Sequence, residues 1–433
     1  MRTLGIVGGR VLGPDMQVTE ADVLVDRDAG EIEAVDEGAA DGADERLDAS
    51  GGLVVPGLVN AHTHVSMTLL RGYADDKPLE DWLREDIWPV EAALEPADVA
   101  AGARLAAAEM IRSGTTAFAD MYFMMEAVAD VVESTGMRAR LGHGCITVGK
   151  DDAAAHADFE TGLEFAEAYD GAADGRITTM LTPHSLTTVG EEFYREYVPA
   201  ARELGVPVHI HANETRDEVE PIREDRGTRP LAYADDLGVL AEDSFLAHCV
   251  HVDDREIDLL AERGTSVVHC PASNMKLASG MAPVQAMLDA GVVVGLGTDG
   301  AASNNDLDLF DEIRDAAMVG KLAAEDASAV DAATAVELAT AGGAAAIGID
   351  SGRIEPGANA DLAVLDLEAP HLTPQHDLVS HLAYAARGSD VRHTICDGQV
   401  LLRDRDLETI DVEAASAAAS ERAAALVARA EGT

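Results

Sequence analysis

The apolar run that begins at Val55 ends in His62-Thr-His64, two imidazoles spaced i, i+2. On an extended strand that spacing puts both rings on one side of the chain, where they can share a metal ion. Such pairs also occur on surfaces. What gives this one weight is that the same event, an apolar segment ending in a ligand-type side chain, recurs along the chain. Residues 115–120 end in Asp120, residues 139–145 hold His143, and residues 177–183 run into His184. Residues 207–211 carry His209 and His211, with Glu214 three positions on; residues 244–249 carry His248, residues 265–270 His269, and residues 292–299 end in Asp299. Imidazole and carboxylate donors suit Zn²⁺, with Fe²⁺ and Mn²⁺ as alternatives. Held by His62, His64, His211 and Asp299, one divalent ion would keep a position for water and lower that water's pKa towards ~7.

On the fifth segment His209 and His211 face the same way. His211 lies nearer the strand end and is assigned as the ligand, His209 as a hydrogen-bonded residue behind it. Asp299 can accept the water proton while touching the metal. Glu214 is placed to shuttle a proton to a ring nitrogen, and His248 to orient hydroxide or stabilise charge on the attacked carbon. The competing structural readings are a surface pair for His62 and His64, a turn aspartate for Asp299, a helix-start glutamate behind an Asn213 cap for Glu214, and a core histidine for His248.

These side chains need a scaffold that gathers strand ends. The eight apolar segments begin with residues 53–60 and are mostly separated by stretches rich in Ala, Leu and Glu, such as 95–112 and 191–204. Eight strand–helix units over about 300 residues predict an α/β fold, a (β/α)8 barrel of the TIM type, whose active sites lie at the C-terminal ends of the strands. Eight of the fourteen histidines would then share one rim. A doubly wound open sheet is the alternative, but no glycine-rich phosphate loop accompanies a strand–helix turn. Both ends of the chain read differently, as short strands broken by glycine, with Asp28-Ala-Gly30 as a turn and Asp397-Gly398 as a hairpin. The expected organisation is a small β-sandwich built from residues 1–55 and 352–410, a hydrolase barrel over 56–351, and a C-terminal helix within 411–433.

The formal charge of −49 is spread along the sequence with only four lysines. A diffuse acidic coat suits solubility at high salt and argues against nucleic acid or anionic membranes as partners. The four scattered cysteines suggest no disulfide framework, no apolar run reaches ~18 residues, and the N-terminal residues do not read as a signal peptide. A cytoplasmic protein is expected, acting on a small molecule, with a homo-oligomer left open.

Several motifs together resemble the amidohydrolase superfamily: His62-x-His64, Pro183-His184-Ser, His211-x-x-Glu214, Ala247-His248-Cys, His269-Cys-Pro-Ala-Ser-Asn and Gly297-Thr-Asp-Gly-Ala-Ala-Ser-Asn-Asn305. More narrowly they resemble its 5′-methylthioadenosine/S-adenosylhomocysteine deaminases, close to archaeal 5′-deoxyadenosine deaminases. The likeness extends to Met67-Thr-Leu-Leu-Arg-Gly72, Leu79-Glu-Asp-Trp-Leu83 and Gly357-x-x-Ala-Asp-Leu362. It implies hydrolytic deamination of the adenine ring of a purine nucleoside, with ammonia released and a hypoxanthine product. It further implies that Glu91 binds the ribose hydroxyls, His184 contacts the substrate and Glu214 protonates the purine. The departure from the family pattern lies after the third strand, where arginines grip the carboxylate of S-adenosylhomocysteine. His143 stands at the first such place and residues 151–156 offer none, which tilts the expectation towards a small 5′ group. No lysine lies between Arg176 and Ser185 to bridge two metals, so one ion is expected. The rival readings are a guanine, pterin or cytosine deaminase, a triazine chlorohydrolase, and a non-catalytic scaffold of the same fold.

Overall fold

The computed structural model describes residues 2–432. Its centre is a ring of eight parallel strands: β1 (Leu58–His64), β2 (Thr115–Tyr122), β3 (Arg138–Cys145), β4 (Ile177–Thr179, resumed at Thr182–Pro183), β5 (His209–Ala212), β6 (Phe245–His248), β7 (Ser266–His269) and β8 (Val294–Leu296, resumed at Asp299–Gly300). Parallel ladders join β1 to β2, β2 to β3, β3 to β4, and β5 through β6 and β7 to β8. Isolated parallel bridges, Leu181 to Val208 and Ser185 to His211, join β4 to β5, and Asp299–Gly300 pairs with Thr63–His64 to complete the circuit. The expected (β/α)8 barrel is the fold. Helices cover the strands on the outside, so β2 is buried at every position, as parallel strands with both faces covered must be.

Residues 53–60 do not form one strand. Gly52–Pro56 pairs antiparallel with Leu362–Asp366 in a second sheet, and the barrel strand begins only at Leu58. Gly57 is the joint: a Cβ there would lie 2.2 Å from Thr116 Oγ1, so only glycine lets the chain pass from one sheet to the other. His62 and His64 therefore lie within β1, not beyond its end.

The second sheet has seven strands, in the order Asp406–Leu407, Gln399–Arg403, Val391–Cys396, Leu362–Asp366, Gly52–Pro56, Arg10–Leu12 and Val18–Glu20. Both ends of the chain thus share it. It packs on a four-stranded sheet from residues 3–48 through Leu4, Ile6, Val25, Val54, Val364 and Ile395. Asp397 and Gly398, both left-handed (φ 52° and 69°), make the hairpin between two of its strands. The sandwich is tied to the barrel by Arg138 of β3, whose Nε donates to buried Asp361 Oδ2 at 3.0 Å. Helix Val412–Glu431 lies against helix Pro96–Arg112, burying Ala415, Ala419 and Leu426. Among the described residues no helix is long and apolar enough to cross a membrane.

After β1 the chain makes a 3₁₀ turn, Val65–Leu70. It then folds over the barrel mouth as Leu79–Trp82, a π-helical turn Leu83–Ile87, and Trp88–Glu91. Single π turns widen a helix by one residue and are frequent at functional sites. Here the turn precedes Trp88 and Glu91, which both line the cavity beneath.

Candidate metal centre and pocket

Four ring and carboxylate donors converge at the C-terminal mouth of the barrel, and the hydrogen bonds behind them decide which atoms point inward. His209 Nδ1 faces the carbonyl of Phe245 at 2.8 Å, an acceptor only, so that nitrogen carries the proton. Burial holds the His209 ring neutral, so its Nε2 accepts, and His62 Nδ1, 2.8 Å away, must donate to it. That leaves a lone pair on His62 Nε2, which has no hydrogen-bond partner and lies 3.5 Å from Asp299 Oδ1. By the same reasoning His64 Nδ1 donates to Met121 O at 2.7 Å and His211 Nδ1 to His184 O at 2.9 Å. The two free Nε2 atoms then face each other at 3.3 Å, and that of His64 faces Asp299 Oδ1 at 3.2 Å.

Lone pairs aimed at one another across 3.2–3.5 Å repel unless a cation stands between them. A proton can relieve one contact. Burial disfavours charge on His64, but the hydrogen bond and charge of Asp299 outweigh it and raise that ring to about 9. It cannot relieve all of them, because burial lowers His62 to about 4 and also holds His211 well below the usual imidazole range. The donor set fits a single divalent cation of the Zn²⁺ type. His62, His211, His248 and Asp299 each offer an atom within 4.8 Å of the others, so His248 also stands at this centre.

Asp299 is aimed by both its backbone and its neighbours. It adopts φ 60°, as His248 adopts φ 72°, left-handed conformations that non-glycine residues tolerate mainly where the surroundings impose them. Gly297 just before it passes within 2.7 Å of the His62 backbone, measured from the Cβ that glycine lacks, so the strands carrying His62 and Asp299 approach as no side chain would allow. The hydroxyls of Ser273 and Ser303 donate to Asp299 Oδ2 at 2.6 and 2.8 Å, leaving Oδ1 for the centre.

The centre is the floor of a cavity of about 330 Å³, within the small-molecule range. Glu214 enters from the loop after β5. Its Oε1 accepts from Ser279 Oγ at 3.3 Å, its Oε2 lies 3.7 Å from His248 Nε2, and burial raises its carboxyl above the usual range. His248 Nδ1 bonds Asn274 Oδ1 at 3.0 Å, which turns Nε2 towards the cavity. His184 lines the wall with Nδ1 on Thr188 Oγ1, and burial lowers it to about 4, so its ring is neutral. On the opposite side Tyr122 OH donates to Glu91 Oε1 at 2.6 Å, and burial raises Glu91. Asn213 does not cap the helix after Glu214. Thr215 does, accepting from Glu218 N, and Asn213 sits left-handed at φ 52°.

The structure does not bring His143 to this site. Its Nε2 faces Asp158 Oδ1 at 3.2 Å on the outer helix Asp152–Tyr169, and it is absent from the cavity wall. The cause is strand alternation: Gly144, its neighbour, takes the inward position. Tyr122, Ser273, Ser303 and Glu218 are residues that sequence reasoning did not single out. Tyr122 shares parity with Asp120 on β2, which was a usable signal. The two serines lie inside motifs that were read for other positions.

A parallel barrel that gathers three imidazoles and a carboxylate at its C-terminal mouth, with an acid beside them, defines a metal-dependent hydrolase. The sequence profile of the amidohydrolase family matches residues 53–401, and the chain belongs to that family. Its relatives include a 5-methylthioadenosine/S-adenosylhomocysteine deaminase of Haloarcula marismortui, 68% identical over 99% of this chain and 100% of the relative. A 5′-deoxyadenosine deaminase of Methanosarcina mazei is 45% identical over 96% and 99%. Among solved structures, an adenosine deaminase from Xanthomonas campestris with bound zinc superposes with a TM-score of 0.93 at 40% identity, covering 98% of both chains.

Proposed function

We propose that the protein is a zinc-dependent deaminase that hydrolyses the adenine ring of 5′-modified adenosines, 5′-deoxyadenosine and 5′-methylthioadenosine first among them, to hypoxanthine and ammonia. The observation that carries the reading is the placement of the Glu214 carboxyl, buried beside the centre with Oε2 3.7 Å from His248 Nε2 and Oε1 on Ser279 Oγ, where burial raises its pKa as suits a group that delivers a proton to a purine nitrogen. His62, His64, His211 and Asp299 would hold the ion, which when bound supplies hydroxide at neutral pH.

Each residue's task follows from its surroundings. Asp299, its Oδ2 fixed by two serines, holds its carboxylate beside the centre to accept the proton of the attacking water. Glu214 passes a proton to the ring nitrogen next to the carbon under attack. His248, anchored by Asn274, keeps Nε2 available to a hydroxyl on that carbon. Glu91, with one oxygen engaged by Tyr122, offers the other to the ribose hydroxyls. The neutral His184 hydrogen-bonds the base without adding charge.

The 5′ preference rests on the loop after β3. Ile146 and Val148 face the cavity there, and the two basic residues nearby, His143 and Lys150, are both engaged by Asp158, the lysine at 2.7 Å. No free cation remains on that loop to grip an amino-acid carboxylate. The test is ammonia release from 5′-deoxyadenosine, 5′-methylthioadenosine, adenosine and S-adenosylhomocysteine in molar salt. The expected order of kcat/KM puts S-adenosylhomocysteine last. A first place for it would reject the specificity argument, and no release from any of the four would reject the deaminase reading.

A further inference from the structure

Glu218 is buried at the cavity wall, yet none of the steps above uses it. It is the third residue of helix Arg216–Arg226, behind the Thr215 cap, so Thr215-x-x-Glu218 has the spacing of a capping box. In such a box the glutamate would accept the backbone N–H of Thr215. Glu218 reaches one residue further back, and its Oε2 accepts the N–H of Glu214 at 2.8 Å. Its Oε1 is buried and has no hydrogen-bond partner. A carboxyl so placed costs stability: burial pushes it up to about 8, although the backbone N–H groups of Glu214 and Asn213 act to hold it down. A helix cap alone does not require it, since Thr215 already performs that task. What the bond does hold is the bend at left-handed Asn213, from which Glu214 turns into the cavity.

We infer that Glu218 is a positioning residue for the reaction: its bond to the Glu214 backbone fixes the pose in which the Glu214 carboxyl meets the ring nitrogen and His248. The inference rests on the deaminase reading for its kinetic consequence and on geometry alone for its structural one. Without the bond, the 211–215 turn gains freedom and Glu214 leaves Ser279 Oγ, now 3.3 Å away. Misplacement of a proton donor by about 1 Å can lower the rate about a hundredfold.

The test uses Glu218→Ala and Glu218→Gln in the metal-loaded protein. The glutamine keeps an acceptor for the Glu214 N–H; alanine does not. Expected for Glu218→Ala is a fall in kcat of about ten- to a hundredfold with KM within about threefold, metal content unchanged and Tm not lowered. Glu218→Gln should recover most of the rate. A crystal structure of Glu218→Ala should show Glu214 displaced from Ser279. Wild-type kcat in the alanine variant, or a loss that glutamine fails to rescue, would overturn the inference. Should the wild type release no ammonia, the deaminase reading falls, and the inference is then decided by the crystal structure. An unmoved Glu214 in Glu218→Ala refutes it, and a displaced one supports it.

Discussion

His209 does not line the cavity, yet His209→Leu is expected to weaken metal binding. The ring is a relay: its Nδ1–H is spent on Phe245 O, its Nε2 accepts from His62 Nδ1, and only thereby does His62 Nε2 present a lone pair to the centre. Leucine leaves the fully buried His62 Nδ1–H without an acceptor, a penalty of about 1–3 kcal/mol. The ring escapes by moving its proton to Nε2, where Asp299 Oδ1 at 3.5 Å can receive it, and that is the atom the ion needs. The metal must then drive the proton back. Partners behind a metal-bound histidine are commonly worth about ten- to a hundredfold in affinity, or about 1.4–2.7 kcal/mol, which agrees with the penalty for the orphaned donor. The assay is competition of the metal-free protein against a chromophoric chelator, with the Tm of the metal-free form as a control for folding. Wild type should bind tightest, His209→Gln, with an amide oxygen to accept, should lie between, and His209→Leu should be weakest. A His209→Leu protein with intact Tm and a dissociation constant within twofold of wild type would refute the relay.

Three further outcomes are expected. Val148→Arg, placing a guanidinium at the exposed edge of the cavity, should improve S-adenosylhomocysteine relative to 5′-deoxyadenosine by about fivefold in kcat/KM, the ~1 kcal/mol of one exposed charge pair. Arg138→Met strands the buried Asp361 carboxylate between barrel and sandwich, and urea unfolding should show a loss of about 3–5 kcal/mol with metal content unchanged. Burial lowers His184 to about 4 and His269 to about 3, so in acid the unfolded chain takes up protons that the folded rings refuse. Stability contributed by their neutral forms is complete above the unfolded value of 6.5 and declines as pH falls towards 4; the Tm should drop over that window, less steeply in His269→Leu.

The recurrence of apolar segments ending in histidine or aspartate made the barrel legible, because parallel strands buried on both faces read as continuous apolar runs and their ends share one rim. Alternation within a strand also decides which single side chains reach the site. On β3 it sets Gly144 inward and His143 outward, and on β2 it sets Tyr122 beside Asp120. The split at Gly57 was hidden because apolar residues continue across it from one sheet to the next, and the reason for the glycine is a side chain 59 positions later, Thr116. The π turn at Leu83–Ile87 leaves no trace in so short a helix, since one inserted residue does not change composition. The serines that hold Asp299 and the reach of Glu218 past its own cap are tertiary facts. Their residue types announce a hydroxyl and a helix start, and nothing more.

One ion at the mouth of the barrel is what every proposed residue role requires. Diffraction from zinc-loaded crystals at the zinc absorption edge, together with metal analysis of the same protein, measures that directly. The expected result is one zinc per chain and a single anomalous peak about 2.0–2.2 Å from His62 Nε2, His64 Nε2, His211 Nε2 and Asp299 Oδ1, with His248 beyond bonding distance. A peak elsewhere, or a peak that omits any of these four, would contradict it.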